Sequence, residues 1–174
     1  MKKLTQIGLL AIVCLMVLSS SALADTPIQI SLFNPIQIAP ESESVTGLRV
    51  NFIYGKNASL TGLDWGLVNH LTGNSMGIQT GFIGYNEADF TGWQDSWVSI
   101  TKGSFLGLQT GLYTSCNDGS GIQYGFVNVA GSMNGLQLGF INKASTLNGI
   151  QIGLVNIIDQ GGAFPIFPIV NWSF

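Results

Sequence analysis

The sequence predicts an all-β fold, and three observations carry that prediction. A glycine-led octet recurs eight times at spacings of 14 or 15 residues; its apolar residues alternate with period two; and clusters such as GKNAS, GNS, NDGS and AGS punctuate the intervals. The octets are GLRVNFIY at 47–54, GLDWGLVN at 62–69, GIQTGFIG at 77–84, GWQDSWVS at 92–99, GLQTGLYT at 107–114, GIQYGFVN at 121–128, GLQLGFIN at 135–142 and GIQIGLVN at 149–156. Alternation gives each strand two faces. One carries apolar residues such as Leu136, Leu138 and Phe140; the other carries Gly135, Gln137, Gly139 and Ile141.

Two architectures fit this period. The first is an antiparallel up-and-down meander closed as a small, about ten-stranded β-barrel; the second is a β-solenoid with 14–15-residue coils. Folding the last two octets about Ser145 pairs Phe140 with Ile150, Leu138 with Ile152 and Leu136 with Leu154. It also sets Gly139 against Gln151 and Gln137 against Gly153, so every bulky polar side chain meets a glycine, which favours the meander. Terminal strands near 27–33 and 164–174 bring the count to ten, an even number that lets an antiparallel sheet close and hide its edges. The apolar face would then meet lipid and the Gly/Gln face would line a narrow interior. In the solenoid alternative the apolar face would instead be the core.

The ends of the chain point to export. Lys2 and Lys3, the apolar run at 7–18 and the Ala22-Leu23-Ala24 site read as a signal peptide over 1–24, leaving one β-repeat domain at 25–174. Cys14 lies inside the apolar run after Val13, which does not suit a lipoprotein cysteine. No later segment is apolar for long enough to form a membrane helix. The last strand alternates Ile166, Pro168, Val170, Trp172 and Phe174, an aromatic ending that resembles the assembly signal of outer-membrane barrels. Together these predict the outer membrane or cell surface of a Gram-negative-type bacterium, with outer-membrane lipid and the barrel-assembly machinery as partners.

The octets, the SVTGLRVNFIYGKN opening at 44–57 and the PIFPIVNWSF ending resemble the bacterial surface repeat-containing protein family. The resemblance covers nearly all of 25–174 and implies export, a surface location, no enzyme activity and no defined ligand site. The fourth octet departs from the pattern, with Trp93, Asp95, Ser96 and Trp97 in place of the usual residues.

Composition narrows the function. Beyond the leader only Arg49, Lys56, Lys102 and Lys143 are basic, against nine acids, so a nucleic-acid surface is not expected. Cys116 is the one cysteine there, read as a free or half-buried thiol, and no intrachain disulfide can form. His70, the single histidine, reads as a surface-turn residue without a second metal ligand or a nucleophile. Glu87, Asp89 and Asp118 fall in turns but lack a dense oxygen-ligand loop for calcium. No catalytic residue, cofactor or metal is therefore expected, and the function is read as a non-enzymatic structural or interaction role, with a surface-attached solenoid binding module as the alternative.

Two places stand out. Arg49 and Asp64 occupy the third octet position in successive repeats, where later repeats have Gln, and are predicted to form an interior ion pair. Asp95 falls on the apolar face, where a carboxylate at mid-bilayer would be costly. Either its strand slips register or its centre lies near water; the flanking Trp93 and Trp97 suit an interfacial site.

Overall fold

The computed structural model describes residues 26–174; the predicted signal peptide at 1–24 lies outside the described residues. Strands β1 (Thr26–Phe33), β2 (Ile36–Gln37), β3 (Val45–Asn57), β4 (Leu60–Leu71), β5 (Ser75–Asn86), β6 (Phe90–Gln160) and β7 (Ile166–Ser173) join in the order β2-β1-β3-β4-β5-β6-β7. The pairs from β1–β3 through β5–β6 are all parallel. Only the ends reverse: β2 folds back on β1 and β7 on β6, both antiparallel. β6 is continuous over 71 residues, and along it Gly107, Gly121, Gly135 and Gly149 each lie against the glycine one repeat earlier. The chain is a β-solenoid, one coil per repeat.

This overturns the leading expectation of an antiparallel meander closed as a barrel, and it leaves the transmembrane strands that rested on closure without support. The reason lies in the buried amides. The meander register matched Gln137 to Gly153 in volume but gave the glutamine no partner, and a buried amide without one is destabilising. Parallel stacking sets like on like. Gln94, Gln109, Gln123, Gln137 and Gln151 each donate from Nε2 to Oε1 of the glutamine one coil earlier, at 2.6–2.9 Å. All five are fully buried. Chains of aligned amides polarise one another, so the file is stronger than its separate bonds.

A second file runs beside it in the opposite sense. Asn128 Nδ2 donates to Asn142 Oδ1 at 2.7 Å, and Asn142 Nδ2 to Asn156 Oδ1 at 2.8 Å, each bond directed toward the C-terminus. Asn156 then donates to the Phe167 carbonyl in β7. The intervals between octets, read from sequence as turns, therefore supply part of each coil: the residues that follow the octet continue in strand and close the interior.

The interior is polar, and this corrects the second half of the solenoid alternative, in which the apolar face was to be the core. Among the described residues the buried apolar side chains form a column through Phe90, Phe105, Cys116, Ala130, Met133, Ala144, Leu147 and Ile158 and a smaller group of Val45, Leu60 and Leu71, with Ala39 buried apart from both. The octet's Leu, Ile, Phe and Trp side chains point out. Its leading glycines explain why. From Gly47 to Gly149 all eight have φ between +124° and +148°, a region other residues rarely enter. A Cβ on Gly121 would lie 2.2 Å from the Gly107 carbonyl oxygen. The coil can stack closely only if this position has no side chain.

Candidate interaction face

Octet positions two, four and six form the outer surface of one side of the solenoid. Position four reads Val50, Trp65, Thr80, Asp95, Thr110, Tyr124, Leu138 and Ile152, and position six reads Phe52, Leu67, Phe82, Trp97, Leu112, Phe126, Phe140 and Leu154. β1 extends the surface by pairing Ile28 with Leu48 and Ile30 with Val50, and β7 closes it with Trp172 beside Ile150. Many of these side chains are solvent-facing: Trp65 is 57% exposed, Tyr124 60% and Leu154 56%. Neighbouring coils stack their rings, Phe82 on Trp97 at 4.3 Å and Phe126 on Phe140 at 4.8 Å between centroids. Across positions two, four and six of all eight octets the one charged residue is Asp95.

The relief of this surface varies along its two halves, and Thr80, Gly81, Asp95 and Trp97 line a hollow near the middle. In the C-terminal half the fifth-position glycines Gly111, Gly125, Gly139 and Gly153 floor an open apolar groove of about 770 Å³, walled by Tyr124, Leu138, Phe126 and Phe140. In the N-terminal half Trp65 stands out beside Leu63 and Leu67, all exposed.

Asp95 sits between the halves. The sequence left open a slipped register or a watery interface; the structure shows regular pairing of Thr80 with Asp95 and a polar spot within the apolar sheet. Thr110, in the same position one coil on, donates a short hydrogen bond from Oγ1 to Asp95 Oδ1. Trp93 Nε1 donates to the same hydroxyl at 3.2 Å. Trp97 does not join this network; its ring lies on Phe82.

Arg49 and Asp64 meet inside the solenoid, directly opposite one another in the parallel register. Arg49 Nε donates to Asp64 Oδ1 at 2.8 Å and Nη2 to Oδ2 at 2.6 Å, a fork with both side chains fully buried. Gln79 Nε2 donates to Asp64 Oδ2 at 2.9 Å, so the carboxylate terminates the donor end of the glutamine file. An anion at the positive end of aligned dipoles is favourably placed.

His70 is the last residue but one of β4, just before the bend at 72–73. Its Nε2 is 2.7 Å from Glu87 Oε1 and its Nδ1 is 2.8 Å from the Tyr54 hydroxyl. With the ring neutral, Nε2–H donates to the carboxylate and Nδ1 accepts from Tyr54. Burial raises the Tyr54 pKa, which keeps the phenol protonated as that donor. Tyr54 and Glu87 flank His70 at about one coil on either side, a spacing that brings the three together only when successive repeats stack in parallel. Among the described residues no group of His, Cys, Asp and Glu is arranged to hold a metal ion, and Asp89 and Asp118 instead bond neighbouring backbone and side chains.

Cys116 is buried, and desolvation, with Asp118 adding repulsion, pushes its thiol up to about 12 from an ordinary 9.0. The folded state thus holds a proton that the unfolded chain releases. The stability from this difference is fully present below pH 9 and is lost as pH rises from 9 to about 12. Denaturation midpoints should fall over that window, and less steeply in Cys116→Ala, which suits a position where Ala130 and Ala144 stack in the next coils. A thiol reagent at pH 8 should label the native chain only after denaturant is added. Rapid labelling of folded protein would contradict the burial.

Fold and surface define the class: a β-solenoid with amide files inside and an aromatic, apolar sheet outside. No family model, curated protein or solved structure matches the chain.

Proposed function

We propose that this chain is an exported, surface-attached β-solenoid that acts as a non-enzymatic interaction module, and that its flat apolar sheet is the binding face. One observation carries the reading: the solenoid spends its polar side chains on its interior and its aromatic side chains on solvent. Contiguous apolar patches beyond a few hundred Å² on a soluble chain mark sites that meet a partner. The leader at 1–24 and the resemblance of the octets to surface repeat proteins support export. A barrel-assembly partner has no role in this reading, because no barrel has to be inserted.

The test places charge on one face at a time. Leu67→Lys with Phe126→Lys alters the apolar sheet; Val129→Lys with Ile157→Lys alters the opposite side. Association is read three ways for each folded protein: with itself by sedimentation, with neutral phospholipid vesicles by flotation, and with an alkyl resin. The expected result is that the wild type associates in at least one assay, that the first pair abolishes it, and that the second leaves it. A folded wild type inert in all three would overturn the reading.

A further inference from the structure

The face described above has an internal symmetry that identifies what covers it, and the inference rests on the reading of that face as a binding surface. We propose that its partner is a second copy of the chain, packed face to face with the two solenoid axes antiparallel about a twofold axis through the Asp95–Thr110 pair.

Size is the first support. The face has ten rungs, from β1 through the eight octets to β7. Nine steps of about 4.8 Å and a width of about 18 Å, flanking side chains included, give about 800 Å². A standard stable interface takes about 800 Å² from each partner.

Polar matching is the second. Asp95 and Thr110 lie on the fifth and sixth of the ten rungs, the centre of the face. With the axis parallel to the strands, each rung meets the partner rung equally far from the other end, and position four meets position four. Asp95 then faces the partner's Thr110, and Thr110 the partner's Asp95. A carboxylate can accept about four hydrogen bonds, and among the described residues Asp95 accepts one, from Thr110. Each Thr110 hydroxyl keeps its one proton on Asp95 of its own chain, so the twofold sets one hydrogen-bonded Asp95–Thr110 pair against the other, polar group on polar group, at the centre of an otherwise apolar face. The alternative twofold, along the solenoid axis, would press Asp95 against the partner's Asp95 and is unfavourable by like-charge repulsion.

Relief is the third. The same operation lays Trp65 over the rung of the partner's Leu138 and Phe140, which wall the groove. It also sets small Thr80 against the partner's Tyr124. Projecting Trp65 and Tyr124 thus each meet a partner rung that lines a hollow, Leu138–Phe140 for the first and Thr80–Gly81 for the second, as a self-complementary twofold interface requires.

A lipid surface fits less well. Membrane-surface proteins carry basic residues beside the apolar face. Here Arg49 is buried on Asp64, Lys56 pairs with Glu41 at 3.3 Å and Lys143 with Asp159 at 3.6 Å. Lys102 lies between octets, off the face. In the acyl region Asp95 would have no polar group opposite it, whereas in the dimer it faces the partner's polar pair.

Sedimentation equilibrium of the purified chain without detergent should give twice the chain mass. Trp65→Asp, a change at an exposed position, should keep the circular dichroism spectrum and weaken dimerisation by at least about 30-fold. Geometry is read by cross-linking. Thr80→Cys combined with Tyr124→Cys should yield a covalent dimer with a short bismaleimide, whereas Thr80→Cys alone should not. A dimer that Thr80→Cys alone cross-links efficiently, or that Trp65→Asp leaves intact, overturns the proposed packing. A monomer that floats with neutral vesicles or binds alkyl resin overturns the second copy as partner but leaves the binding face standing. A monomer that binds neither removes both.

Discussion

Arg49→Ala should destabilise the fold by about 3–5 kcal/mol, the usual consequence of stranding one member of a buried ion pair. The guanidinium makes more than the fork to Asp64: Nη1 also donates to the His70 carbonyl at 3.1 Å and to Asn57 Oδ1 at 3.3 Å. Without it the carboxylate keeps only the Asn51 and Gln79 amides, at 3.1 and 2.9 Å, inside a space closed to water. The informative comparison is the double replacement Arg49→Gln with Asp64→Gln. It would continue the glutamine file by two members, exchange two desolvated charges for paired amides, and is expected to lie within about 1 kcal/mol of wild type or above it. A double-mutant cycle from urea midpoints measures the coupling. A loss under about 1 kcal/mol for Arg49→Ala would mean that water reaches Asp64.

Gly121→Ala should be more severe, because nothing near it can yield. The residue has φ +124°, and the new Cβ would stand 2.2 Å from the Gly107 oxygen and 3.1 Å from its carbonyl carbon. Those atoms are backbone in the coil beneath, so relief requires parting two coils and breaking the amide bonds between them. A loss of about 4 kcal/mol or more is expected, close to the whole stability of many domains. Gly161→Ala is the control: φ is +74° and no atom lies within 4 Å of the added carbon. It should bear only the left-handed backbone strain, about 1–2 kcal/mol. Equal effects at the two sites would show that stacking does not limit Gly121.

Periodicity made the strands, the two faces and the repeat boundaries legible, and it placed Arg49 and Asp64 on one interior. The direction of pairing was not legible by the test applied to it. Matching Phe140 with Ile150 and Gln137 with Gly153 weighs volume, and volume is satisfied equally well when coils stack. Hydrogen bonding is the discriminating quantity. Gln79, Gln94, Gln109, Gln123, Gln137 and Gln151 hold the third octet position in six successive repeats, and in-register parallel strands satisfy such a run by stacking amide on amide. The same test would have turned the faces the right way, since the amides must be inside for the file to form. It would also have read Asp95 and Thr110 as vertical neighbours. The Tyr54–His70–Glu87 chain needed the coil itself, because those residues approach only when successive repeats are stacked.

The two amide files run against each other, glutamine donors toward the N-terminus and asparagine donors toward the C-terminus. Their dipoles therefore offset, unlike those of a helix, whose peptide units all add. A coil inserted in the middle adds one unit to each file and leaves the ends with the same charge balance as before. Nothing electrostatic sets the number of coils. Length in such a molecule is a quantity that duplication of a 14-residue segment can raise or lower in whole steps, while the same β1–β2 and β7 reversals close its ends.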